Sequence, residues 1–308
     1  MIDKKTDYIT PDAMGGYAVE IIRKTFDVAS EEIKQVQVMK KGMTNRSFSF
    51  KINSKRYIIR VPGEGTENLI NRKNEAAVYH TIKGLGICDD PVYIDPGNGY
   101  KITSFLDNVR TCDIDNEDDL RRCMEKLRSF HSLKLTVPHT FDIWGQIQFY
   151  ESLWNKNSSE YPDYEEVKRS VFSMKDFVDT NKETFILTHI DAVPDNFLFY
   201  HTKDNGEELQ LTDWEYAGMQ DPHVDIAMFC IYSLYNKKQS DKLIDIYFDN
   251  KCDDPTRAKI YCYMSASSLL WSNWCEYKKE LGVEFGEYGN SQYNYARDYY
   301  SYAKEVLK

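Results

Sequence analysis

"LTHIDAVPDNFLFY", residues 187–200, is a mostly apolar stretch interrupted by His189, Asp191, Asp195 and Asn196. Ionised carboxylates are rarely buried unless they are paired or hold a metal. Acids and an amide inside a strand-like segment therefore need a reason, and the following chain supplies one. In "NFLFYHTKDNGEELQLTDWEYAG", residues 196–218, two strand-like runs flank "KDNGE", and Asn-Gly is a strong hairpin turn signal. Positions 196 and 213 are symmetric about the Asp204–Asn205 turn, so antiparallel pairing predicts that Asn196 and Asp213 share one end of the hairpin. Asp191 lies five residues ahead of Asn196, in the loop that feeds that end. Hard oxygen donors with too few carboxylates for a calcium cage suit Mg2+, which shares itself with substrate phosphates.

At 308 residues the chain is long enough for two lobes, each with a core. Hydrophobic residues make up 42% and charged residues 29%, as in an ordinary globular protein. No apolar run approaches the roughly 18–20 residues that a membrane span needs. The opening "MIDKKTDYITPD" has no apolar centre, so no secretory signal is expected there. Seven cysteines lack CxxC or CxxH spacing, which suggests free thiols in a reducing, cytoplasmic setting and argues against structural zinc. The net charge of −10 argues against a broad nucleic-acid footprint but not against binding one nucleotide. The oligomeric state is not legible.

Along the chain, the first hundred residues read as strands around one helix. "VQVMKKGMTNRSFSFKI" (36–52) predicts strand, loop, strand, and "KRYIIRVPG" (55–63) a third strand. "TENLINRKNEAAVYHTIKGLG" (66–86) predicts a helix ended by Gly84 or Gly86. "PVYIDPGNGYKITSFL" (91–106) predicts a hairpin turning at "PGNG". From about residue 115 helices take over. In 115–133, Leu120, Cys123, Met124, Leu127 and Phe130 share one helical face. Further helices are expected across 144–158, 163–180, 221–237, 240–249, 254–280 and 290–307. The expected fold class is α+β, with an antiparallel β lobe over 1–105 and a larger helical lobe over 106–308.

His189-x-Asp191-x-x-x-x-Asn196, followed by Asp213 seventeen residues on, resembles the catalytic and metal loops of kinase-fold phosphotransferases. In that pattern the first Asp takes the proton of the attacking hydroxyl, while the Asn and second Asp hold Mg2+ on ATP. Arg60 ends the third strand and Glu75 lies in the following helix, where kinases keep a basic residue for the phosphates and its acidic partner. Arg in place of Lys is always charged and forks onto phosphate oxygens. The loop "KKGMTNRSF" has one glycine, Gly42, and offers Thr44, Asn45, Arg46 and Ser47 as donors. A plain hairpin turn would read the same. His-Ile-Asp replaces His-Arg-Asp, and Trp-Glu follows Asp213, so a protein kinase is not expected.

"HIDAVPDNFLF" and "LTDWEYAGMQDPHVDIAMF", with "GMTNRSFSFKI", "YIIRVPGEGTENLINRKNE" and "LLWSNWCEYKKELGVEFGEYG", resemble the bacterial choline kinase branch of the choline/ethanolamine kinases, relatives of the aminoglycoside phosphotransferases. The resemblance runs from about residue 40 to the C-terminus. It implies a kinase-like fold, ATP and Mg2+ as cofactors, Asp191 as base, and Asn196 and Asp213 as metal ligands. It also implies that Arg60 and Glu75 position phosphates, that Thr103–Phe105 face adenine, and that Asp225 holds the catalytic loop. Choline has no N–H donor, so cation–π contact and apolar packing must hold it. Trp271 and Trp274, at i, i+3 on one helical face, match the family's choline pocket. Tyr232, Tyr235, Phe285 and Tyr288 are candidate further walls, and Glu215 is a candidate acid nearby. Core packing remains the plain alternative for the tryptophans. Ethanolamine, another small amino alcohol or an aminoglycoside remains open as substrate, as does a non-catalytic nucleotide-binding protein.

Overall fold

The computed structural model describes residues 8–39, 45–63, 70–88, 90–156, 158–202 and 206–308. Gly42, Thr44 and the Asp204–Asn205 turn lie outside them. The chain divides into two compact units, 1–110 with 199–215, and 111–198 with 216–308. The expected boundary near 105 thus falls close to the first crossing. The segment 199–215 belongs with the N-terminal unit, although it was expected in the second lobe.

The N-terminal unit is built on a five-stranded antiparallel sheet. Its strands are β1 (Lys34–Val38), β2 (Asn45–Ile52), β3 (Lys55–Pro62), β4 (Tyr93–Ile94) and β5 (Lys101–Ser104), in the order β1-β2-β3-β5-β4. The register sets Ser47 opposite Arg60 and Arg60 opposite Lys101. One face buries Phe48, Phe50, Ile59 and Ile102 against Ala18, Val19 and Ile22 of helix α1 (Gly16–Phe26). Helix α1 was not expected. Helix α2 (Arg72–Ile82) starts at Asn71, whose side chain accepts from the backbone N–H of Lys73 and Asn74. This satisfies two of the donors that a helix start leaves orphaned.

The second unit is mostly helical. Among the described residues it contains α3 (Glu117–Ser132), α4 (Ile143–Ser152), α5 (Tyr164–Phe172), α6 (Lys175–Asn181), α7 (His223–Tyr232), α8 (Lys237–Tyr247), α9 (Asp254–Glu280) and α10 (Tyr288–Val306). The single helix expected over 163–180 is broken at Ser173–Met174 into α5 and α6. Helix α9 is buried almost without interruption from Ala258 to Cys275, with α4, α7 and α10 packed on it. Strand β7 (Ile186–Thr188) pairs antiparallel with β10 (Gly218–Gln220). Strands β8 (Phe197–Thr202) and β9 (Gly206–Leu211), which from Phe199 onward belong to the N-terminal unit, are neighbours in a small sheet with β6 (Arg110–Thr111). All seven cysteines are free.

Candidate active site

In the second unit, β7 ends at Thr188 and the chain turns sharply through His189, Ile190 and Asp191. Ile190 is fully buried with φ +70°, a left-handed backbone that β-branched residues resist at a cost of about 1–3 kcal/mol. Asp225, in the first turn of α7, holds that turn. Its carboxylate accepts from the N–H of His189 at 3.0 Å and of Ile190 at 2.7 Å. His131 Nε2 reaches the same carboxylate at 2.9 Å, and His131 Nδ1 meets Tyr247 Oη at 2.8 Å. Asp225 has no exposure, yet hydrogen bonds surround it. The holding role expected for Asp225 is thus visible in the geometry.

The turn leaves Asp191 half-buried. Asn196 closes a short 3-10 turn, Pro194–Asn196, and its amide donates to Asp191 O at 2.8 Å and to Asp191 Oδ2 at 3.1 Å. Both amide hydrogens thus turn inward, and the Asn196 carbonyl oxygen has no hydrogen bond among the described residues. A hard acceptor in that condition fits a magnesium ligand.

Asp213 lies in the N-terminal unit, two residues beyond β9, and also has a positive φ, +65°. Its unit holds a buried ion cluster. Arg60, 7% exposed, grips Glu75 with two nitrogens at 2.5 and 2.7 Å and donates to Gly99 O at 2.9 Å. Arg72 bonds Glu75 at 3.0 Å and Glu215 at 3.2 Å, and Lys101 stands 3.7 Å from Glu75. Burial pushes the Glu75 carboxyl up, but Arg60, Lys101 and Arg72 outweigh it and hold the group down at about 2. Burial and the nearby Asp213 charge push Glu215 up, against the pull of Arg60 and Arg72. Gly99 has φ +79°, and a Cβ there would meet the Arg72 stem at 2.4 Å.

Several expected positions differ. Glu215, expected as an acid near the aromatic residues, is a member of the ion cluster, only 7% exposed and engaged by Arg72 and by the Asn45 amide at 3.0 Å. Asn45 in turn accepts from Arg72 at 3.1 Å, so its side chain joins Arg72 to Glu215 within the cluster. Arg46 is exposed over the Phe48 ring, and Ser47 is half-buried in β2. Thr103 lies in β5 opposite Ile58. The Phe105 N–H donates to Arg56 O at 3.0 Å and is thus already paired. Arg72 and Lys101 were missed. Arg72 stands one helical turn before Glu75, which was a usable signal; Lys101 meets the cluster only through sheet register.

The aromatic residues lie in the second unit. Trp271 and Trp274 meet edge to face at 5.8 Å, and Trp274 packs on Phe285 at 4.9 Å. Tyr216, not foreseen, sets its ring against Trp271 at 5.7 Å. Trp274 is 4% exposed and has the Lys278 ammonium 5.7 Å from its ring, so it backs the group; Trp271, at 9%, is more open. Tyr232 and Tyr288 meet at 6.0 Å. Burial, then nearby groups including Asp191, push both phenols above their usual range. Tyr235 differs from expectation: it is 2% exposed and its hydroxyl donates to Ile114 O at 2.6 Å, which makes it a core residue.

A buried carboxylate clamping an acid-bearing loop, and an arginine–glutamate pair between sheet and helix, define a kinase-like phosphotransferase. A family model for choline/ethanolamine kinases matches residues 36–266, and the chain belongs to that family. It is 26% identical over 258 residues to Protein LicA of Haemophilus influenzae, covering 80% of this chain and 94% of that one. The crystal structure of choline kinase LicA from Streptococcus pneumoniae superposes with a TM-score of 0.78 at 29% identity, covering 93% of this chain and all of that one. LicA in complex with AMP superposes at 0.77, also at 29% identity, over 92% of this chain and 98% of that one. Among the described residues, no helix is long and apolar enough to cross a membrane.

Proposed function

We propose that this protein transfers the terminal phosphoryl group of ATP to the hydroxyl of choline, giving phosphocholine. The observation that carries the proposal is the clamped Asp191 loop in the unit that also holds Tyr232, Tyr288 and the tryptophan pair. In this reading Asp191 accepts the hydroxyl hydrogen and aims the oxygen. The transition state is loose, so aim matters more than proton removal. Asn196 and Asp213 would hold Mg2+, which supplies charge neutralisation on the phosphates. Arg60 and Glu75, with Asn45, Arg46 and Ser47, bound the phosphate end, and Thr103 and Phe105 face the adenine. The AMP complex of LicA supports a nucleotide in this chain as well.

Trp271, Tyr216 and Phe285 supply the apolar, electron-rich surface that a quaternary ammonium needs, and Trp274 backs them. Ethanolamine carries three N–H donors and would favour carboxylates over bare rings. The test is ADP release from MgATP with choline, ethanolamine or an aminoglycoside, with Asp191→Asn as the blank. The expected outcome is choline-selective turnover, reduced at least about a thousandfold in the variant. Turnover that survives the substitution would remove Asp191 from the mechanism. Preference for ethanolamine would return the tryptophans to core packing. Trp271→Ala should raise the Michaelis constant for choline about tenfold and change that for ATP little.

A further inference from the structure

The loop between Asp191 and Asn196 carries a second acid, Asp195, which the reaction as described does not use. Its Oδ2 accepts from Tyr232 Oη at 2.9 Å, and Tyr232 in turn packs its ring against Tyr288. Asp195 is exposed, and its other carboxylate oxygen has no hydrogen bond among the described residues. Both phenols also feel the charge of Asp191. A phenol-steered carboxylate therefore stands at the aromatic wall, one short turn of chain from the acid that faces the hydroxyl. Glu215, the acid expected there, is committed to Arg72 and Asn45 in the other unit.

We infer that Asp195, oriented by Tyr232, is the counter-charge that recognises the cationic nitrogen of the substrate. The inference rests on the reading of this site as an amino-alcohol kinase. In a small amino alcohol only two carbons separate oxygen from nitrogen. A hydroxyl at Asp191 therefore leaves the nitrogen within a few ångströms, where a neighbouring carboxylate and aromatic faces can reach it. Asp195 selects for positive charge, while the rings select for methylation. With a quaternary nitrogen the attraction is purely coulombic. A nitrogen bearing N–H groups would also donate to the open carboxylate oxygen.

The experiment compares choline with its carbon isostere, in which a quaternary carbon replaces the nitrogen, in wild type, Asp195→Asn and Tyr232→Phe. Asp195→Asn should lower kcat/KM for choline about tenfold, chiefly through KM, and leave the neutral isostere within about twofold of wild type. Tyr232→Phe should move the same quantity in the same direction by less. An equal loss for the charged and neutral alcohols would make Asp195 a merely structural loop residue and overturn the inference. If wild type prefers ethanolamine, the choline reading fails, yet the same comparison between ethanolamine and propanol still decides Asp195. If no alcohol is turned over at all, both readings fall.

Discussion

Ile190 holds a backbone that its side chain resists, and two hydrogen bonds from one loop to one carboxylate keep it there. Asp225→Asn offers only one acceptor oxygen where two N–H groups point. It should cost about 1–3 kcal/mol of stability and release the turn. A chemical denaturation curve would show the first effect. A fall in kcat of at least about tenfold, with KM for choline little changed, would show the second. Glu75 makes a pH-dependent prediction. Its folded value, about 2, lies below the ordinary 4.5, so above 4.5 the carboxylate is ionised in both states and its pairing stabilises fully. As pH falls from 4.5 toward 2 the unfolded chain takes up its proton first, and that stability is lost. The melting-temperature gap between wild type and Glu75→Gln should therefore be widest near neutrality and narrow below about pH 4.5. The residue pattern made Asp191, Asn196 and the Arg60–Glu75 pair legible, because their spacing follows chemistry. The partners of Glu215 and Asn45 were not legible, because only folding sets residues so far apart in the chain against Arg72.

At the scale of elements, the helices that bury a regular stripe were readable. The expected 254–280 helix coincides with α9, and the face marked by Leu120, Cys123, Met124, Leu127 and Phe130 is the buried face of α3. Helix α1 was hidden by its composition. Val19, Ile21, Ile22 and Thr25 are β-branched, and the helix begins at Gly16 without a side-chain cap. Its apolar residues are helix-spaced all the same, and the sheet supplies the burial that intrinsic propensity lacks. Helix α2 has the opposite character, since a local cap fixes its start. Asn71→Ala should cost about 1 kcal/mol in urea unfolding. Because the same helix carries Arg72 and Glu75, the variant should also raise KM for MgATP, measured by ADP release.

At the scale of the whole molecule, the N-terminal unit is not a continuous piece of chain. Residues 199–215 complete it: Leu211 N donates to Ile87 O at 3.0 Å, Arg110 pairs with Glu207 at 3.0 Å, and Glu215 answers Arg72. No shift in composition announces this, which is why a simple boundary near 105 was the natural reading. A fragment ending at residue 110 would keep Glu75 but lose Glu215, which leaves Arg60, Arg72 and Lys101 buried against a single carboxylate, and such charge imbalance is strongly destabilising. That fragment should show no cooperative unfolding transition by circular dichroism, whereas a version with 199–215 joined by a flexible linker should regain one.

The same discontinuity sets a timetable on the ribosome. The sheet and its two helices emerge early, with Glu75 among them, but Glu215, the second acid of their ion cluster, is translated about a hundred residues later. At ordinary elongation rates the wait is roughly 5 to 20 seconds. During that interval the nascent N-terminal unit remains an open substrate for chaperones and proteases. Nascent chains arrested before residue 199 should be cleaved within 45–110, and chains arrested after residue 215 has cleared the exit tunnel should resist.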